Sequence, residues 1–429
     1  MRLIPSIPDE AFVFLGAQGP AQPSQAGVPM KSRIYFDHSA TTPLDSRVLE
    51  AMVPFLGGSF GNPSSLHDEG RAARKAVDVA RAQVASLIGA SPEEIIFTAS
   101  GTEADNLALI GAVRASGKPG HIVTSSIEHA AILETCRFLA RSGTKITHLP
   151  VNGDGVVIAS DLLRALQSNI TIVSVMAANN VVGTLQPIEE LAYLTSLHGV
   201  LFHTDAVQAG GKILLDTNRL RVDLLSLSAH KFHGPKGVGA LYVRNGTGLA
   251  PVIFGGGQER GLRSSTENVA GIVGFGAAAE IAQNELREEC TRLTQLRELI
   301  WNEIRLALPQ ASLFGHPTKR LHGHLSIGFS GQEKQVGRLL AALDGAGVSV
   351  SAGSACSAHH SGEPSGVVLA MGYDAERARG LIRISLGRFN TREEVNRFVS
   401  ILIREVNALS LAEKESGIRR PEVVECATS

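Results

Sequence analysis

A lysine stands between two histidines at position 231, in Ser-Leu-Ser-Ala-His-Lys-Phe-His-Gly-Pro-Lys-Gly-Val-Gly (226–239), where an apolar run ends and a Gly-Pro turn begins. Burial lowers the proton affinity of such an amine, so Lys231 can act as a nucleophile or base near neutral pH. Other chemically useful side chains stand at similar places. Asp205 and Gln208 lie in His-Thr-Asp-Ala-Val-Gln (203–208), just after the apolar Leu201-Phe202. His129 closes Ser-Ser-Ile-Glu-His, and Asn180 is the second asparagine of Ala-Ala-Asn-Asn. Ile95-Ile96-Phe97-Thr98 runs into Ala-Ser-Gly-Thr-Glu-Ala-Asp-Asn and an apolar helix, so Gly101, Thr102 and the first-turn amides form an anion cup at a positive helix end.

Singly, each has an ordinary reading: a Ser or Thr helix cap, a strand-end histidine, a turn aspartate, loop amides, a surface lysine. Together they amount to a phosphate cradle, a flat ring to stack on, an anion for a pyridine nitrogen and an amine for a Schiff base. Those are the requirements of pyridoxal 5'-phosphate.

The elements that must position these residues alternate. Short β-branched runs at 94–98, 120–124, 145–149, 171–176, 200–203, 224–228 and 238–243 are separated by helical segments such as 160–167 and 188–197. This predicts an α/β fold with a mainly parallel sheet, in which ligands collect at the carboxyl ends of strands. A charged helical stretch over 285–308 follows, then strand-like 324–329, 348–351 and 381–385 and a helix over 391–409, which read as a smaller α/β domain. The expected organisation is a loose extension over 1–29, a large domain over 41–285, a small domain from 30–40 and 286–410, and a mobile tail over 411–429. The small-residue-rich stretch 271–282 reads as a packed helix.

Forty basic and forty-one acidic residues in 429 give a net charge of -1, so no global bias favours nucleic acid. No apolar run approaches the roughly 18 residues of a membrane span. The first 30 residues lack the layout of a signal peptide, and Met30 is a candidate natural start. Cys136, Cys290, Cys356 and Cys426 show no CxxC spacing, which fits a reducing, cytoplasmic setting.

From about 34 to 409 the chain resembles the cysteine desulfurases of the NifS/IscS type, class V aminotransferase relatives with the fold-type I pyridoxal phosphate architecture and a seven-stranded sheet. The resemblance rests on Tyr-Phe-Asp-His-Ser-Ala-Thr-Thr-Pro (35–43), Phe-Gly-Asn-Pro-Ser-Ser (60–65), Gly-Thr-Glu-Ala-Asp-Asn (101–106), His-Thr-Asp-Ala-Val-Gln (203–208), Ser-Ala-His-Lys (228–231) with Gly-Pro-Lys-Gly (234–237), Gly-Gly-Gly-Gln-Glu-Arg (255–260) and Gly-Ser-Ala-Cys-Ser (353–357). It implies that Lys231 carries the cofactor and shuttles the substrate α-proton, that Asp205 pairs with the ring nitrogen, and that Gln208 and Asn180 bond the ring hydroxyl. It further implies that Gly101, Thr102, Ser228 and His230 hold the phosphate, that His129 stacks on the ring, and that Arg383 clamps the carboxylate of L-cysteine. Thr266 matches a position reaching the partner subunit's phosphate, which implies a homodimer.

Cys356 lies among small residues, as a thiol that must reach a substrate and then hand sulfur onward requires. The resemblance makes it the persulfide carrier, with alanine as co-product and an acceptor or scaffold protein as partner. His359 and His360 beside it raise a zinc site, but in a glycine- and serine-rich loop they read as merely polar, and no metal is expected. Their segment is similar to selenocysteine lyases, which keeps that activity open as an alternative. A cysteine β-lyase would not need Cys356, and a non-catalytic assembly scaffold would not need an intact Lys231 and Asp205. His38 and Val181 depart from the family pattern, which favours tyrosine and glutamate there.

Overall fold

The computed structural model describes residues 33–117, 120–166, 169–353 and 363–418. Cys356, His359, His360 and Cys426 lie outside the described residues, as do the extension over 1–29 and positions 419–429. The strands are β1 (Ile34–Tyr35), β2 (Ile95–Thr98), β3 (His121–Ser125), β4 (Lys145–Leu149), β5 (Ile172–Ser174), β6 (Leu201–Asp205), β7 (Leu224–Ser228), β8 (Gly239–Val243), β9 (Ala311–Leu313), β10 (His324–Phe329), β11 (Val348–Ser349) and β12 (Ile382–Ser385). Seven form one sheet in the order β2-β8-β7-β6-β5-β3-β4, parallel except for β8, which runs antiparallel to both neighbours.

Every residue of β2, β3, β7 and β8 is buried, as expected of a sheet covered on both faces. At one edge, β4 exposes Lys145, a charge that discourages further pairing. At the other, side chains replace the missing strand. The Glu259 carboxylate accepts the Phe97 N–H at 2.8 Å, and Arg81 and Arg260 each donate to the Ile95 carbonyl at 2.8 Å. These bonds satisfy backbone groups that burial would otherwise leave costly. This explains the Glu-Arg end of the 255–260 motif.

A second core gathers around the antiparallel sheet β12-β10-β9 and the parallel pair β1-β11. The helix Val269–Ala307 serves both cores: Ile272, Phe275 and Ala279 pack in the first, Leu296, Ile300 and Ile304 in the second. It runs unbroken through position 285, and at 39 residues is about 58 Å long. Its small residues permit a close crossing, since a Cβ at Gly276 would lie 2.6 Å from the Ala80 Cα of the helix Asp68–Leu87. The last helix, Arg392–Ile418, continues past 411, where a mobile tail was expected. Ala, Glu and Lys at 412–415 are strong helix formers. Among the described residues no helix is long and apolar enough to cross a membrane.

Candidate functional site

A cavity of about 240 Å³ lies at the carboxyl ends of β5, β6 and β7. Ten residues singled out from the sequence line it: Gly101, Thr102, His129, Asn180, Asp205, Gln208, Ser228, His230, Lys231 and Arg383. Thr266 does not; it is exposed in the segment before the helix Val269–Ala307.

Lys231 ends the single turn Ala229–Lys231, which follows β7 directly. The chain can fold back there because position 234 is glycine; a Cβ would meet the Ala229 carbonyl oxygen at 2.8 Å. The Lys231 Nζ donates to the Ser39 and Ala40 carbonyls, each at 2.8 Å, which aims the amine across the cavity mouth. Asp205 is the last residue of β6, nearly fully buried, and accepts the Val207 N–H at 2.9 Å. Burial pushes its carboxyl up, while the charges of His129 and Lys231 pull it back down.

His129 caps the helix Ala130–Arg141, its Nδ1 accepting the Ala131 N–H at 3.1 Å. That bond occupies the Nδ1 lone pair, so a neutral ring carries its proton on Nε2. Gly101 opens the helix Gly101–Ala115, whose cap is Ser100, with Oγ accepting the Glu103 N–H at 3.1 Å. A Cβ at Gly101 would fall 2.5 Å from a Val207 methyl carbon, so glycine lets the helix end approach the β6 side of the cavity. His230 bonds the Thr41 hydroxyl at 3.1 Å, and burial, with Lys231 next, lowers its imidazole to about 4.

Gln208 donates to the Ser39 carbonyl at 2.9 Å and accepts from Lys212 at 3.3 Å. Arg383, 1% exposed, donates to the Asp37 carboxylate at 2.7 Å and to the Asn180 carbonyl at 3.0 Å. Its Nε is buried without a hydrogen-bond partner.

Sequence reading gave no role to Asp37, Ser39, Ala40 or Asp105. The first three lie in the quoted 35–43 motif; Asp105 lies in the 101–106 motif, on the cavity-facing side of its helix. Both departures from the family pattern are packed away from the cavity. His38 is buried beside Tyr35 at 5.1 Å between rings, and burial lowers it to about 3, so it is neutral. Val181 joins an apolar cluster with Phe314, Val368 and Leu381.

These groups fit pyridoxal phosphate by their own chemistry. An amine, a buried carboxylate whose charge a protonated ring nitrogen would offset, a helix-end cup and a buried unpartnered guanidinium donor share one enclosure.

The class-V aminotransferase family matches residues 34–398. The chain is 47% identical over 381 residues to the cysteine desulfurase IscS of Dictyoglomus turgidum, covering 89% of this chain and 96% of that one. It is 44% identical over 377 residues to the cysteine desulfurase IscS of Methanosarcina thermophila, covering 88% and 92%. Among solved structures, a NifS-like protein at 40% identity superposes with a TM-score of 0.81 over 88% of this chain and 100% of its own. SspA in complex with cysteine, at 36% identity, superposes with 0.73 over 83% and 100%. The chain therefore belongs to the class-V aminotransferase family of pyridoxal phosphate-dependent enzymes, with the fold-type I architecture and among cysteine desulfurase relatives.

Proposed function

We propose that this chain is a cysteine desulfurase: it converts L-cysteine to L-alanine, holds the sulfur as a persulfide on Cys356 and passes it to an acceptor protein for iron-sulfur cluster assembly or thio-modification. The observation that carries this reading is the gathering of Lys231, Asp205, the Gly101 cup and Arg383 in one cavity, in a chain 47% identical to a protein named cysteine desulfurase.

Pyridoxal phosphate, when bound, supplies an electron sink that makes the substrate α-proton removable. Gly101, Thr102, Ser228 and His230 would hold its phosphate, Asp205 would keep its ring nitrogen protonated, Gln208 and Asn180 would bond its hydroxyl, and His129 would cover one face. Lys231 would anchor the cofactor, and its amine would take the substrate α-proton. Arg383 binds the substrate carboxylate, and its bond to Asp37 fixes the plane of the guanidinium fork. The Cys356 thiolate attacks the substrate sulfur: a sulfur–sulfur bond forms, the carbon–sulfur bond breaks, and its electron pair goes to the carbon framework. That framework takes up protons and leaves as alanine.

The same reading includes a homodimer. Thr266 is exposed outside the cavity of its own chain, which suits a contact with a partner's phosphate. Leu49, Val53, Leu56, Phe60, Leu66 and Phe254 expose 46%, 55%, 65%, 78%, 90% and 74% of their surface, an apolar excess that a second copy would cover. The scattered cysteines fit a cytoplasmic setting.

Purified protein with pyridoxal phosphate, L-cysteine and a reductant should yield alanine matching sulfide, with little pyruvate. Pyruvate in place of alanine would mean β-elimination and would remove the role of Cys356. Cys356→Ala should stop alanine formation while retaining the cofactor's visible absorbance.

A further inference from the structure

Beneath the cavity a polar row crosses three adjacent strands. His203 on β6 bonds Ser174 on β5 through Nδ1 at 2.9 Å and Ser226 on β7 through Nε2 at 3.0 Å, and all three residues are fully buried. Asp105 completes the row from the helix Gly101–Ala115. It is 1% exposed, lies with Oδ1 3.7 Å from the His203 Nε2, and shares the cavity wall with Asp205. The same Oδ1 has no hydrogen-bond partner.

The charges around Asp105 do not balance a second anion. The basic group beside it, His203, is lowered to about 3 by burial, which leaves it neutral. Burial first, then the Asp205 charge and the Glu128 charge, push the Asp105 carboxyl up. Glu128 is itself pushed up to about 8 by burial. Asp205 differs because His129 and Lys231 pull it down. Two buried carboxyls sharing a site do not both ionise at little cost.

We propose that Asp105 is a positioning residue that stays a neutral carboxylic acid beside Asp205, so that the pair presents one negative charge, carried by Asp205, to the ring nitrogen of the cofactor. This deepens the function proposed above and rests on it. A neutral acid at 105 adds a hydrogen-bond donor that a carboxylate would lack, and it spares Asp205 a neighbour of like charge. Asparagine reproduces the shape and neutrality of that acid; alanine does not.

The test follows the rate of cofactor loss from the reconstituted protein and the position of its visible absorbance band. Asp105→Asn should stay within about twofold of the parent and keep the band, whereas Asp105→Ala should release cofactor about tenfold faster. Release from Asp105→Asn as fast as from Asp105→Ala, with a moved band, would show that the charge is needed and overturn the proposal. Unchanged release in both variants would reduce Asp105 to a structural role and overturn it as well.

Cofactor-free protein gives a second readout that stands even if the alanine variant does not fold. A carboxyl held up by the fold makes folding favour its protonated form, so stability is fully present below the ordinary carboxylate range and is lost as pH rises through the raised value. The melting-temperature gain of Asp105→Asn over the parent should widen from about pH 5 to about pH 8. A flat difference would contradict a neutral Asp105. If the parent binds no pyridoxal phosphate, the functional reading fails, and this pH profile still decides the state of Asp105.

Discussion

On one wall of the cavity Asp205, Ser228 and Lys231 hang from β6 and β7, inner strands paired on both sides. On the other wall stand Ser39, Ala40 and Arg383, the last backed by Asp37, and they meet across large sequence separations. The Arg383–Asp37 pair joins positions 346 apart, and the Lys231 bond to Ser39 spans 192. The first wall takes its geometry from the sheet. The second is held by a few polar contacts, so it should yield in affinity and stability where the first yields in chemistry.

Lys231→Ala should produce the largest effect. Loss of the amine that moves the α-proton should cut alanine formation about a thousandfold, with the melting temperature nearly unchanged. On the other wall Asp37→Ala strips the partner from a fully buried guanidinium and should cost about 3 kcal/mol of stability in denaturant titrations. Arg383→Lys keeps the charge but loses the fork, and should raise KM for L-cysteine about tenfold with little change in kcat. A kcat loss in that variant as large as for Lys231→Ala would erase the division between the walls.

The smallest effect on turnover belongs to Glu128, which lies outside the cavity lining and accepts the Met176 N–H at 3.0 Å. Its carboxyl is pushed up to about 8 by burial, so its stabilising contribution is lost as pH rises from the ordinary carboxylate range through that value. Glu128→Gln should therefore gain on the parent as pH rises from about 5 to about 8, read as a widening difference in melting temperature.

The first wall was legible because each of its functional residues follows an apolar run directly: Asp205 after Leu201-Phe202, Lys231 after Leu224–Ser228. The second was not, for physical reasons. β1 is only two residues long, too short for a periodic signal, yet it leads into Asp37, which pairs with Arg383, and into Ser39 and Ala40, which line the cavity. Asp105 sits in a helix, where a polar residue looks solvent-facing until the partner sheet is known. Arg383 was found through the family motif and not through its strand.

The expected division near 285 came from the onset of charge at Glu285. That onset marks where one face of the helix Val269–Ala307 meets solvent, and the helix itself begins at 269. The charged residues 413–415 suggested a tail for the same reason, although their types favour the helix that they extend.

The most direct test of the cavity as a pyridoxal phosphate site on Lys231 is borohydride reduction of the reconstituted protein, followed by peptide mapping in a mass spectrometer. The pyridoxyl group should appear on the peptide that carries Lys231. Its appearance on Lys212 or Lys236 instead, or on no lysine in protein that shows the visible band, would contradict the assignment on which both walls are read.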